Sequence, residues 1–308
     1  MIKVNNEVVE VNRFPDGTCN VKGNPCLVDG NVLISWHYND DAEFMAITFL
    51  TRYYQAHRNN VSLYLPYVPN ARMDRVEEAE DILAIKYFGE LINSLNFTNV
   101  FVLDVHSSST MVAIKNCVMV YEEDMFVEII NDIFDETDNF PIIFFPDEGA
   151  MKRYSKGMKL PFAYGMKKRD WKTGNILGLE VLGIDAEAIK GSNILIRDDI
   201  CSYGGTFYHA AKKLKEMGAN DIYLFVTHCE HNIHNGRFGD DNKSLIETGL
   251  IKRVFTTDST YPFENSVAVK VYNTRLTIDD TQNEAVCNCE TCDTCFECDE
   301  CNCNCCED

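Results

Sequence analysis

Short runs rich in Val, Ile, Leu, Phe and Tyr recur along the chain, at residues 62–67, 100–105, 142–145, 193–196 and 222–226. Between them the apolar positions fall three or four apart. In residues 81–97 they are Ile82, Ile85, Phe88, Leu91, Ile92 and Leu95. In residues 206–218 they are Ala210, Ala211, Leu214 and Met217, and Gly218 stands where a left-handed residue ends a helix. The runs predict buried strands, with a last one at residues 266–272, and the intervening stretches predict amphipathic helices. Strands alternating with helices imply an α/β fold of parallel sheets with helices on both faces. In such sheets ligand sites form where strands end.

Nearly every predicted strand ends in a polar cluster. The run at 62–67 leads into Val68-Pro69-Asn70-Ala71-Arg72-Met73-Asp74-Arg75, and that at 100–105 contains Asp104 and leads into His106-Ser107. Residues 142–145 lead into Pro146-Asp147-Glu148-Gly149, and 222–226 into Thr227-His228. One such ending is ordinary loop polarity; a series of them predicts two sheets, each carrying a cleft.

The 308 residues allow one large domain or two of ordinary size. A boundary is expected near residues 136–142, where an acidic stretch leads into Pro141, giving units at 1–138 and 139–282. No apolar run approaches the roughly 18 residues of a membrane helix, and no secretory pattern opens the chain. The expected location is therefore cytoplasmic, without a membrane partner. A net charge of -20 argues against nucleic acid as a partner and requires any anionic substrate to meet a local pocket of cations. Nine of the 14 cysteines and seven acids lie in residues 287–308. Their C-x-x-C and C-x-C spacings suit Zn2+ or Cu+, and residues 283–308 are expected to be a disordered tail when no metal is bound. The remaining cysteines, Cys19, Cys26, Cys117, Cys201 and Cys229, have no ligand spacing.

The strongest motif is Ile194-Leu195-Ile196-Arg197-Asp198-Asp199-Ile200-Cys201-Ser202-Tyr203-Gly204-Gly205-Thr206. A strand ends in two acids, a glycine pair lets successive N–H groups face one point, and a helix N-terminus follows. That is a phosphate cradle, and the two carboxylates suit ribose hydroxyls or a hydrated Mg2+.

This segment resembles the phosphoribosyl-pyrophosphate loop of type I phosphoribosyltransferases and ribose-phosphate pyrophosphokinases. Asp198, Asp199, Gly205 and Thr206 match the family pattern, whereas Ser202 and Tyr203 stand where the family has Asp-Thr. Other runs are similar to the pyrophosphokinase branch in order and spacing. Phe14-Pro15-Asp16-Gly17 resembles an adenine-holding element, and Asn70-Ala71-Arg72-Met73-Asp74-Arg75 an ATP-binding signature. Asp104-Val105-His106 and Pro146-Asp147-Glu148-Gly149 resemble metal-binding runs, and Lys167-Lys168-Arg169 the basic run of a mobile catalytic loop. A phage-type branch looks similar in its Pro-Asn-Ala-Arg-Met-Asp-Arg run.

The resemblance implies two phosphoribosyltransferase-like domains and transfer of pyrophosphate from ATP to ribose 5-phosphate, with Mg2+ and in a homo-oligomer. It implies ATP binding by Phe14, Asp16, Arg72 and Asp74, and metal binding by His106 and Asp147. Lys167, Arg169 and His106 would be catalytic, and Asp198, Asp199, Ser202, Tyr203, Gly204, Gly205 and Thr206 would hold the ribose phosphate. The Ser202-Tyr203 departure raises an alternative acceptor, ADP-ribose, with a use in rebuilding NAD. A phosphoribosyltransferase would leave Phe14–Gly17 and Asn70-Ala71-Arg72 unexplained, and a non-catalytic regulatory homologue would have no need of Lys167, Arg169, His106 and Asp147.

Overall fold

The computed structural model describes residues 1–27, 30–120, 123–169 and 176–276. The Cys-rich segment proposed for Zn2+ or Cu+ lies outside the described residues.

The first half contains β1 (Ile2–Val4), β2 (Glu7–Val8), β3 (Asn12–Arg13), β4 (Cys19–Asn20), β5 (Asn31–Trp36), α1 (Glu43–Ala56), β6 (Asn60–Leu65), α2 (Ala84–Ser94), β7 (Val100–Leu103), α3 (Ser108–Ala113) and β8 (Cys117–Val120). Six strands form one sheet in the order β2-β1-β5-β6-β7-β8. β5 to β8 run parallel, β1 pairs antiparallel with β5, and β2 forms the edge antiparallel to β1. β3 and β4 form a separate hairpin.

The second half contains α4 (Glu123–Thr137), β9 (Ile142–Phe145), α5 (Glu148–Tyr154), β10 (Phe162–Arg169), β11 (Ile176–Leu182), α6 (Ala186–Ile189), β12 (Ile194–Cys201), α7 (Gly205–Glu216), β13 (Ile222–Cys229), β14 (Arg253–Thr257) and β15 (Val269–Tyr272). Seven strands form its sheet, in the order β11-β10-β9-β12-β13-β14-β15, parallel except for the β10–β11 pair. Among the described residues no helix is long and apolar enough to cross a membrane.

Apolar runs become strands here because both faces are covered. In β12 the side chains alternate: Ile194 and Ile196 pack with Ala210, Ala211 and Leu214 of α7, while Leu195 joins Phe126 and Ile130 of α4 on the other face. The period of two sends successive residues into opposite layers. In α2, Ile85, Phe88 and Ile92 are buried, but Leu91 faces outward and Ile82 precedes the helix. The helix thus presents a narrower apolar stripe than its sequence predicts.

Two packing facts move the division between the halves. α4 lies before the expected boundary, yet Phe126, Ile129 and Ile133 pack on the second sheet. After β15 the chain returns to the first sheet, where Leu276 packs with Leu33, Tyr64 and Phe101. Charge runs mark solvated turns, but they do not report which sheet covers a helix's apolar face.

The halves are joined by buried polar groups at the ends of β7 and β13. Asp104 sits just past β7 in a left-handed conformation, φ 41°, which Asp tolerates better than bulkier residues. Its carboxyl accepts from the Tyr154 hydroxyl at 2.8 Å and from Thr227 Oγ1 at 2.5 Å, both from the second half. His228 Nε2 reaches the carbonyls of Leu103 at 3.1 Å and Asp104 at 3.3 Å, while its Nδ1 meets Ser259 Oγ. Carbonyls only accept, so Nε2 carries the proton. Burial first pushes the Asp104 carboxyl up and the His228 imidazole down from their ordinary values. Tyr154→Phe is expected to lower the unfolding free energy by about 1–3 kcal/mol by removing one donor to a buried carboxyl. Urea unfolding checks this: the midpoint falls with an unchanged slope. An unchanged midpoint contradicts the joining role.

Candidate active site

The carboxyl ends of β7, β9 and β12 face a cavity of about 690 Å³. Its wall includes Arg72, Asp74, His106, Asp147, Arg153, Asp198, Asp199 and the loop from Ser202 to Phe207. Parallel strands deliver these groups to one place because all their C-terminal ends lie on one side of a sheet.

Asp199 is the centre of the charge arrangement. It is buried, and its Oδ2 meets His106 Nδ1 at 2.5 Å and Arg153 Nη1 at 3.4 Å. The Arg153 guanidinium also donates to the His106 carbonyl, so one side chain ties helix α5 to the end of the first sheet. Burial opposes the charge on Asp199, but the hydrogen bond from His106 and the Arg153 guanidinium outweigh it and hold this carboxyl well below its ordinary range. Asp198 has the opposite fate. Burial, then the charges of Asp199 and Asp147, push its carboxyl up to about 8. Two adjacent acids therefore carry one negative charge at neutral pH.

The Asp198-Asp199 pair lies within β12, not after it. β12 keeps pairing with β13 through Asp198↔Val226, Ile200↔His228 and Cys201↔Cys229, so the sheet holds the acids rigidly. The chain then turns at Gly204, φ +90°, which begins α7. A Cβ there would also approach Leu245 Cδ2 to 2.6 Å, so only glycine fits. No side chain caps α7, whose N-terminal turn borders the cavity at Gly205, Thr206 and Phe207. Such a helix end attracts an anion. Ser202 Oγ donates to Glu230 Oε2 at 2.6 Å, and Tyr203 is 54% exposed.

No protein-family model matches the chain. It is 26% identical over 227 residues to a ribose-phosphate pyrophosphokinase of Pyrococcus abyssi, covering 71% of this chain and 75% of that protein. It is 28% identical over 229 residues to one of Pyrococcus furiosus, covering 71% and 77%. The phosphoribosylpyrophosphate synthetase of Mycobacterium smegmatis shares the fold, with a TM-score of 0.68 over 86% of each chain and 19% identity. Over most of its length the chain is therefore similar to ribose-phosphate pyrophosphokinases, and it shares the fold of a phosphoribosylpyrophosphate synthetase.

Within this fold, the residues singled out from sequence divide into three groups. Arg72, Asp74, His106, Asp147, Asp198, Asp199, Ser202, Tyr203, Gly204, Gly205 and Thr206 all line the one cavity. Phe14 and Asp16 do not: they sit in the exposed β3–β4 turn, where Asp16 accepts from the Thr18 hydroxyl and N–H. The backbone of Lys167 and Arg169 belongs to β10, paired with β11 at Leu179 and Ile176, where the sequence suggested a loop. Their side chains lie outside what the structure describes. Asp147 plays two parts, capping α5 through Oδ1 to the Ala150 N–H at 2.9 Å while lining the cavity.

Arg153, Tyr154 and Glu230 escaped sequence reading. Tyr154 follows Asp147 by seven residues, two helical turns, and so returns to the same face. Arg153 sits beside it in the last turn. That spacing was the available signal; Glu230 also accepts from Asn232 nearby, but its bond to the phosphate turn comes from Ser202, 28 residues away.

A test follows from Asp198. Its folded value, about 8, lies above the unfolded 3.8, so the native state binds the extra proton. Stability is then expected to fall as pH rises from about 4 to about 8, since the unfolded chain releases that proton first. Asp199, shifted downward, acts only below this window. Asp198→Asn should flatten the decline in urea midpoint across that range, and an unaltered slope with pH would refute the assignment.

Proposed function

We propose that this protein transfers the pyrophosphoryl group of ATP to the C1 hydroxyl of a ribose bearing a 5-phosphate. The C1 oxygen forms a bond to the β-phosphorus, the bond from that phosphorus to the α-phosphate oxygen breaks, and AMP leaves with that oxygen. The hydroxyl proton is released. The observation that carries the reading is one cavity in which two β12 carboxylates adjoin a glycine turn and a helix N-terminus, opposite Arg72 and His106 from the other sheet. Such a transfer needs in-line positioning and charge neutralisation more than covalent chemistry by the protein.

The α7 N-terminus with Gly204, Gly205 and Thr206 takes the 5-phosphate, and Asp199 takes ribose hydroxyls. Arg72, with Asp74 beside it, orients the triphosphate. His106, tied through Nδ1 to Asp199, presents its other nitrogen to the phosphate oxygens. Lys167 and Arg169 supply cations to the transferring group. Phe14 and Asp16 stand apart from the cavity in one copy of the chain, which supports an oligomer in which a neighbouring copy supplies them.

The donor set suits Mg2+, which takes one or two carboxylates and keeps much of its water. Among the described residues no three His, Cys, Asp or Glu side chains form a ready-made cage. Asp147 and Asp198 would hold the ion. Asp198, whose charge is suppressed by burial and by its acidic neighbours, is the group a cation would ionise. His106 contributes one nitrogen at most, since Nδ1 is engaged. When bound, the ion neutralises triphosphate charge.

A second reading, the same transfer to ADP-ribose, is favoured by Glu230. This carboxylate takes the Ser202 hydroxyl inside the phosphate turn, so a dianionic phosphate monoester is repelled more than the singly charged bridging phosphate of ADP-ribose. AMP release measured with ATP and each acceptor separates the two. Turnover is expected with at least one, and none with either, over a range of Mg2+, overturns the transfer. Lys167→Ala combined with Arg169→Ala is expected to cut kcat by at least about 10³ while ATP still binds. Near-normal turnover removes both from the mechanism.

A further inference from the structure

The turn after β13 carries a cluster of rings that the transfer itself does not use. The 3-10 turn His231–His234 begins one residue beyond β13. Its ring centroids lie close to Phe263: 5.2 Å for His231 and 5.4 Å for His234. Tyr261 fixes the arrangement from below. It is buried, stands 5.4 Å from Phe263, and its hydroxyl meets His234 Nε2 at 2.9 Å. Phe263 nevertheless leaves 44% of its surface in solvent, and His231 is exposed. Burial first, then the neighbouring His231, lowers the His234 value, which favours a neutral ring at neutral pH.

The cluster is bound to the phosphate turn. Glu230 N–H donates to the Cys201 carbonyl at 2.8 Å, and the Ser202 hydroxyl donates to Glu230. A few residues on, Gly236 passes so close to Tyr203 that a Cβ would lie 2.5 Å from the Tyr203 carbonyl oxygen. The ring-bearing turn therefore flanks the strand end and loop that hold the 5-phosphate, on the side of β13. Exposed Arg237 follows directly, its Nη1 held by the Gly236 carbonyl at 2.8 Å.

We propose that His231, His234 and Phe263 form a stacking platform for a heteroaromatic base carried on the far side of the acceptor's 5-phosphate, with Arg237 facing the second phosphate of the linkage. The occupant is a ribose 5-phosphate joined through a phosphoanhydride to a nucleotide. Bases stack on phenyl and imidazole faces, and a guanidinium pairs with phosphate oxygens. Exposed Tyr203 stands in the loop between the phosphate turn and the ring-bearing turn, its carbonyl beside Gly236, and adds a further ring on that side. This inference rests on the pyrophosphoryl-transfer reading and assigns residues that reading leaves idle.

The test uses full-length protein and ADP-ribose as probe, by calorimetric binding without ATP and by AMP release with ATP. Phe263→Ala is expected to weaken ADP-ribose binding and raise its KM about tenfold, with kcat and the KM for ribose 5-phosphate unchanged. Phe263→Tyr, which keeps a ring, should restore affinity. The platform is overturned if ADP-ribose fails to bind the unmodified protein, or if Phe263→Ala leaves its affinity unchanged. It is also overturned if that change shifts the KM values of both acceptors equally. Ring-dependent binding without AMP release would retain the platform and reject the transfer reading, whereas AMP release insensitive to the ring would do the reverse.

Discussion

A carboxylate kept charged in a buried place organises this molecule. Asp199 stands inside the second sheet, where burial alone would neutralise it, and it stays ionised because His106 crosses from the first sheet and Arg153 arrives from α5. Burial, reinforced by the charge on Asp199, then suppresses the charge of Asp198 next to it. This cluster of ion pairs links the two sheets, and together with burial it keeps the neighbouring acid protonated and shapes the electrostatic character of the cavity floor. Removing a partner from such a pair is costlier than the pair is stabilising, because a buried charge is left alone.

The second joint, Asp104 with Tyr154, Thr227 and His228, makes the first possible. It holds the end of β7 against β13 and fixes the backbone two residues before His106. The strained left-handed conformation at Asp104 is the local cost of turning the chain there. Chain topology assists. Leu276 brings the segment after β15 back to the first sheet, so the two sheets are crossed twice and separate less readily than two domains on one linker.

Much of this was legible in sequence, for a physical reason. Strands buried on both faces must be apolar throughout, so 100–105, 142–145 and 222–226 stood out, and the polar residues after them had to be loop or site. Gly204 and Gly218 were legible because a positive φ and a helix end each demand glycine. Asp198 and Asp199 were placed after a strand because acids rarely continue one; the structure keeps them in β12 because His106 and Arg153 compensate the charge. Glu230 was not legible because its bond to Ser202 spans 28 residues, and for Arg153 and Tyr154 the only signal was their helical spacing from Asp147, since their partners lie far along the chain. Phe14 and Asp16 read as ATP contacts by resemblance, yet their hairpin packs beside α1, away from the cavity. Proximity in a single folded chain is something a motif does not encode.

The central claim is that His106 and Asp199 act as one unit across the two sheets. The direct measurement is a double-mutant cycle on kcat/KM for AMP release, comparing His106→Ala, Asp199→Asn and both together. If they form a unit, the double variant is no slower than the worse single variant, within a factor of about three. Losses that multiply, so that the double variant falls by the product of the two, would mean that the side chains act independently and that the joint does not organise the site.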